Sequence, residues 1–138
     1  MRVCHTLEPV FDDPNLIAHG GLPAVMDLAE QAGLHELVDA HVTVPGTAGA
    51  NTPTKVSTII AGLVVGADSI SDLDVLRHGG MERIFTGLRA PTTLGTHLRG
   101  YQFGHVRQLD AVASRLLARL ATVSPILAGA EQMVFLDV

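Results

Sequence analysis

The segment Pro91-Thr92-Thr93-Leu94-Gly95-Thr96-His97-Leu98-Arg99 lies within the stretch that organises this chain, residues 80–120. Its sequence predicts a short helix over Leu94–Arg99, which Gly100 ends. Thr92 or Thr93 is the expected N-cap, because a threonine hydroxyl can accept a hydrogen bond from a free amide of the first turn. The stretch therefore predicts a short, capped helix.

The residues after Gly104 carry the longest amphipathic helix pattern of the sequence. Its apolar side chains recur every three or four residues; they are Val106, Leu109, Val112, Ala113, Leu116, Leu117 and Leu120. Arg107, Arg115 and Arg119 share the other side, within a face about 120° wide at about 100° per residue. The pattern therefore predicts a long helix that ends before Pro125 and has one apolar and one basic face.

The chain before this stretch is predicted to be a helical scaffold. Residues 1–21 look mostly extended, and a helix follows with Pro23 in its first turn. Gly33 separates that helix from a second short one. The loop 44–51 is rich in small residues, and Thr52-Pro53 begins the next helix. Its aliphatic residues predict the central buried helix; they are Val56, Ile59, Ile60, Leu63 and Val64.

Composition indicates one folded domain. Of the 138 residues, 47% are hydrophobic and 17% are charged, which is not the composition of a disordered chain. The single cysteine, Cys4, cannot form an internal disulfide, so a reducing cytoplasm is expected. No run approaches the roughly 18 apolar residues of a membrane span, so no membrane partner is expected. The fold class is therefore mainly α, a compact multi-helix domain with a short extended N-terminus.

Charge is distributed unevenly along the chain, whose net charge is −5. Residues 1–54 carry seven acids and one base, whereas residues 77–120 carry seven arginines and two acids. Such asymmetry favours a basic surface that faces an anion such as nucleic acid. The alternative is that the arginines pair with the acids of the N-terminal half.

Residues 81–99 have the spacing of a helix-turn-helix DNA-binding unit. Met81–Phe85 would form the first helix, 87–91 the turn, and Thr92–Arg99 the recognition helix. In this interpretation arginines neutralise phosphates, and polar side chains near the start of the recognition helix contact base edges. The alternative is a capped helix that packs Leu94 and Leu98 inward and binds nothing.

The sequence gives little support for a metal site or a catalytic nucleophile. Asp68, Asp72 and Asp74 could suggest a metal site, but acids are also favoured in the first turn of a helix by its dipole. The seven histidines form no pair or cluster with zinc-ligand spacing. Separate surface or capping histidines are therefore the preferred interpretation.

Arg89–Arg99 and Gly104–Asp110 are the most distinctive motifs of the chain. They resemble the N-terminal part of the DDE transposases of bacterial insertion sequences, in the group with an Arg-Ala-Pro-Ser/Thr-Thr-Leu-Gly segment. Pro53–Leu76 fits the same family, and Met133–Val138 is similar to the first strand of its ribonuclease-H-like catalytic domain. The resemblance implies a helical domain over 1–130 and an orphan strand over 131–138, truncated where the catalytic domain begins.

The resemblance also implies partners and site residues. The expected partners are terminal inverted-repeat DNA and a second transposase molecule, hence a homo-oligomer. The expected DNA-binding residues are Arg89, Thr92, Thr93, Thr96, His97, Arg99, Arg107, Arg115 and Arg119. Asp137 would be a catalytic acid and a ligand of Mg²⁺ or Mn²⁺, only in a full-length enzyme. No cofactor and no catalysis are expected of the fragment alone, and the competing hypothesis is a protein-interaction or dimerisation module without DNA binding.

Overall fold

Five α-helices joined by turns and 3-10 segments make up residues 13–124, the part of the chain that the computed structural model describes. The helices are α1 (Leu22–Gln31), α2 (Leu34–His41), α3 (Thr52–Val64), α4 (Pro91–Arg99) and α5 (Phe103–Val123). The 3-10 segments are Gly46–Gly49, Ser71–Arg77 and Gly79–Arg83. The prediction of a mainly helical, compact domain is confirmed for this part of the chain.

Helix α2 is at the centre of the packing, against both α3 and α5. Its Leu34, Leu37 and Val38 join Val112 of α5 in the first group of buried side chains. A second group links α1, α3 and the 71–77 and 79–83 segments, and a third places Leu94 of α4 against Leu73. The helices therefore share one interior made of three apolar clusters.

Gly33 makes the predicted break between α1 and α2. Its backbone is left-handed, with φ of 81°, a conformation that favours glycine. Pro23 lies in the first turn of α1, as its fixed φ suggests. Helix α5 also follows its apolar spacing, although it begins at Phe103, before Gly104, and extends to Val123.

Helix α3 buries the face that is largely opposite to the one predicted. Lys55, Ser57, Thr58 and Ala61 are buried, whereas Leu63 is 61% exposed. Small residues on the inward face let neighbouring elements come close, and at Gly62 an added Cβ would collide with Leu73. Helix α3 does contact α1, α2, α4 and the 71–77 segment. Its aliphatic face is only partly buried, with Val56 and Ile60 packed against the first core cluster, because the small-residue face packs inward.

The partly exposed aliphatic face of α3 lines an open groove between helices, which we call the apolar groove. It has a volume of about 490 Å³ and lies between α3, α4 and α5. Its walls include Ile59 and Ile60 of α3, Leu98 of α4, and Leu109 and Leu116 of α5. Both predicted apolar stripes, those of α3 and α5, therefore meet at a surface that is only partly covered.

The 44–51 segment is packed, although its small residues predicted a loop with little to pack. Val44 is buried, and the Gly46–Gly49 segment contacts α4. The buried Lys55 ammonium donates hydrogen bonds to the carbonyl oxygens of Ala48 at 2.9 Å and Thr47 at 3.4 Å. The absence of large side chains lets this backbone approach α3 and α4 closely.

Two predicted details near the helix starts differ in the structure. Helix α4 begins at Pro91 after the extended residue Ala90, and no side chain caps it, so neither Thr92 nor Thr93 is an N-cap. Residues 13–21, which were predicted to be mostly extended, contain turns, and the amide of Leu16 donates to the Asp13 carbonyl oxygen. The remaining N-terminal residues and the predicted strand of 131–138 lie outside the described residues, as does the boundary at residue 130.

Within residues 13–124, none of the helices combines the length and the apolar character needed to cross a membrane.

Candidate nucleic-acid interface

Helix α4 has a buried face and a polar, exposed face. Leu94 and His97 are fully buried and fix the helix on the domain. Thr92, Thr93, Thr96 and Arg99 are exposed. The Thr96 hydroxyl donates to the Thr92 carbonyl oxygen at 3.0 Å and accepts a hydrogen bond from the Arg99 guanidinium at 3.3 Å. The exposed side of α4 therefore presents three hydroxyls and one cation.

His97 points into the domain, which corrects its expected place at a base edge. Its Nδ1 donates to the carbonyl oxygen of Ala48 at 2.7 Å, and its Nε2 accepts from the Tyr101 hydroxyl at 3.1 Å. Burial, opposed by the bond to Ala48, lowers the pKa of His97, and the charge of Lys55 lowers it further. A neutral, fully bonded ring inside the fold cannot contact DNA in this conformation, so His97 positions α4.

His105 plays a second structural role at the connection between α4 and α5. The Gln102 amide donates to its Nδ1 at 2.8 Å, so its Nε2 is the donor to the Thr43 carbonyl oxygen at 3.0 Å. The Tyr101 ring makes edge-to-face contacts with both histidine rings, at centroid distances of 5.0 and 5.6 Å. The spacing His97, Tyr101, His105 was available in the sequence as a four-residue repeat, but only the fold shows what it contacts.

Arg89 precedes α4 and is partly buried beside a second cation. Its Nε is buried and has no hydrogen-bond partner within the described part of the chain. The pKa of Lys55 is lowered by burial and then by repulsion from Arg89, which places the two charges near each other. Lys55 was not among the predicted site residues, because nothing in its spacing showed that it would be near Arg89.

The three arginines of α5 divide into two environments. Arg107 and Arg115 are exposed, and Arg115 donates to the carbonyl oxygen of Ala111, in its own helix, at 3.0 Å. Arg119 donates from both terminal nitrogens to the carboxylate of Glu36, each at 3.2 Å. The pairing of arginines with N-terminal acids, considered from the sequence, therefore holds for Arg119.

The acidic residues that were considered as metal ligands either bond to neighbouring side chains or lie outside the described residues. Asp72 accepts from the amide and hydroxyl of Ser69, at 3.0 and 2.7 Å, and these bonds lower its pKa. Asp74 pairs with Arg77 at 2.9 Å. Among residues 13–124, no three His, Cys, Asp or Glu side chains come together as a metal-binding group. Asp137 lies in the part of the chain that is not described.

The predicted site residues thus form two exposed groups and three withdrawn residues. The α4 group contains the three threonines and Arg99, the α5 group contains Arg107 and Arg115, and the tight connection at 100–102 joins the two helices. Of the three withdrawn residues, His97 is buried, Arg89 is partly buried, and Arg119 is paired with Glu36. Comparison of the chain with protein-family models, with characterised proteins and with solved structures finds no match.

Proposed function

We propose that this chain is the N-terminal region of a DDE transposase that binds terminal inverted-repeat DNA in the bacterial cytoplasm. The observation that carries the proposal is the exposed polar side of α4, whose opposite face is buried against the domain. A DNA-reading helix needs such an arrangement, because its side chains must keep their register against the base edges. The resemblance of Arg89–Arg99 to the transposase motif supplies the identity of the proposed ligand.

Each exposed residue has a role in this proposal. Thr92, Thr93 and Thr96 offer hydroxyls that can donate to or accept from base edges. Arg99 and the exposed arginines of α5 neutralise phosphates. Arg89 contributes only through the part of its guanidinium that reaches solvent, and Arg119 must first leave Glu36.

The proposal includes finer elements of the family's architecture. The Gly79–Arg83 segment and α4 would act as a helix-turn-helix unit, although the main contacts of α4 are with α3 and with the 46–49 and 71–77 segments. The strand at 131–138 would belong to a ribonuclease-H-like domain, where Asp137 would hold Mg²⁺ or Mn²⁺ with two further acids. Only Asp137 of this chain matches that set, so the 138 residues alone are expected to be catalytically inert.

Binding to labelled duplexes at two salt concentrations tests the proposal. The probes are the inverted repeats that flank the gene and a scrambled duplex of the same composition. Tighter binding to the repeat, and a steep loss of affinity as salt rises, are expected. Thr93→Ala should cost about 1–3 kcal/mol on the repeat and much less on scrambled DNA. Equal affinity for both duplexes contradicts the proposal.

The apolar groove favours a second candidate, a dimerisation module that pairs two copies of the chain. Phe103 and Leu117 of α5, which are 81% and 69% exposed, extend the apolar surface beyond the groove. Exposed aliphatic area of this kind is typical of contact surfaces. Leu117→Glu should convert an oligomer to a monomer in sedimentation, whereas Ala118→Glu, on another side of the same helix, should not. A monomeric wild-type chain at high concentration contradicts this candidate.

A further inference from the structure

A second cavity lies on the side of α3 that faces α1, away from the apolar groove. It has a volume of about 350 Å³, is open to solvent on one side, and is lined by α1, α3, the connection at 84–88 and His35 of α2. Met26, Phe85 and Leu88 form part of its apolar wall. Cavities of roughly 300–1,000 Å³ with apolar walls and a few polar groups are typical of small-molecule sites. None of the residues of α4 lines it, so it is separate from the proposed DNA surface.

Ser57 supplies an unsatisfied polar group in this cavity. The residue is only 9% exposed, and its Oγ has no hydrogen-bond partner within the described part of the chain. A buried hydroxyl without a partner is unfavourable, so such groups in native folds usually have a ligand or water as partner. A hydroxyl can accept a hydrogen bond from an N–H donor, and Ser57 can offer this acceptor to a bound molecule.

The charge of the cavity is negative. Asp27 and Glu30 line it and are exposed, which places their carboxylates at its solvent end, and neither lysine nor arginine is among its lining residues. Asp27 accepts from Gln31 at 2.7 Å. Glu30 lies 3.2 Å from His35 Nε2, but that nitrogen has no well-formed hydrogen bond. The acceptors of Glu30 therefore remain open to a stronger donor.

We propose that this cavity binds a small amphipathic cation, with an ammonium or guanidinium head and a short aliphatic tail. The head donates to the Glu30 carboxylate and the Ser57 hydroxyl, and the tail packs against Met26, Phe85 and Leu88. An anion is repelled by the two carboxylates, and a neutral alcohol lacks the charge attraction. The cation is selected by the combination of acids, a buried acceptor and an apolar wall.

Titration of the 138-residue chain with three probes, followed by NMR chemical shifts, tests the ligand class. The probes are n-butylguanidinium, n-butanol and pentanoate, which have similar tails and different heads. Saturable shifts centred on residues 26–30 and 57–61 are expected for the guanidinium, with affinity about tenfold above that of butanol. Equal binding of the cation and the alcohol, saturable binding of pentanoate, or shifts elsewhere overturn the proposal.

Variants test the residues that are assigned to the head. Glu30→Gln should weaken guanidinium binding about fivefold, a modest loss because the carboxylate is partly exposed. Ser57→Ala should weaken it roughly threefold, as the loss of one neutral hydrogen bond would. Asp39→Asn removes an equal charge outside the cavity and should leave the affinity unchanged. If Glu30→Gln and Ser57→Ala keep their far-ultraviolet circular dichroism and bind like wild type, the site is not the one proposed.

Discussion

His97 donates its Nδ1 hydrogen to the carbonyl oxygen of Ala48 at 2.7 Å, although the two residues are 49 positions apart. The same oxygen accepts from Lys55 Nζ at 2.9 Å. One carbonyl group of the Gly46–Gly49 segment therefore joins α3 and α4. The exposed side of α4 points outward because this bond and the burial of Leu94 hold the other side in.

The bond between His97 and Ala48 predicts lower stability in mild acid. The folded state lowers the pKa of His97 below the value of about 6.5 expected in the unfolded chain. Below about pH 6.5 the unfolded state binds the proton more readily, so the free energy of unfolding falls until the pH reaches the folded pKa. Urea unfolding between pH 7.5 and 5 measures this slope. His97→Gln should flatten it and the exposed-site control His78→Gln should not; the same slope in all three proteins contradicts the prediction.

Lys55→Met should destabilise the domain by about 1–3 kcal/mol. The substitution keeps an unbranched side chain but removes the donors to the Thr47 and Ala48 carbonyl oxygens. It also removes repulsion with Arg89, so the loss should lie at the lower end of this range. Arg107→Met, at an exposed position, is the control in the same unfolding experiment. A Lys55→Met protein as stable as wild type shows that the ammonium does not hold the 46–49 segment.

Two leucine truncations should have very different effects on stability. Leu94→Ala removes a fully buried side chain and should cost about 2–5 kcal/mol. Leu63→Ala, on the exposed face of α3, should cost less than about 1 kcal/mol in the monomer. Chemical unfolding of both variants measures the difference. Equal losses mean that the aliphatic face of α3 is buried after all.

Substitutions of two α5 arginines should change the salt dependence of DNA binding by different amounts, because one arginine is exposed and the other is paired with Glu36. Arg107→Ala should weaken binding to all duplexes and make the log–log salt slope shallower by about one unit. Arg119→Ala should change the slope less, because its guanidinium is already bonded to Glu36. Anisotropy titrations from low to moderate salt give both slopes. Identical slopes for wild type and Arg107→Ala contradict phosphate contact by the α5 surface.

The purified chain should neither nick nor join DNA with Mg²⁺ or Mn²⁺. One carboxylate at Asp137 cannot hold the two ions that the proposed transposase chemistry requires. Supercoiled plasmid incubated with each ion, and resolved on a gel, checks the prediction. Nicking that disappears in Asp137→Ala but persists in Asp110→Ala would show that the chain is an active nuclease.

Local sequence was sufficient to predict where most helices lie. Gly33 and Pro23 bound α1 because their backbone preferences are intrinsic to the residues. The apolar spacing of α5 gave nearly its full length, since a pattern repeated over 20 or so residues averages out local exceptions. The threonines and Arg99 lie together on the exposed side of α4, whereas their contact with DNA stays a prediction.

Tertiary contacts decided which faces became the interior. Periodicity gives α3 two faces, but only its neighbours determine that Lys55 and Ser57 point inward while Leu63 stays exposed. His97 is buried, and Arg119 is paired, through contacts with residues 49 and 83 positions away. Such bonds depend on how the helices pack against one another. The spacing of residues within one helix does not predict that packing. The sequence alone therefore determined the helices, and the packing determined which of their residues remain available for binding.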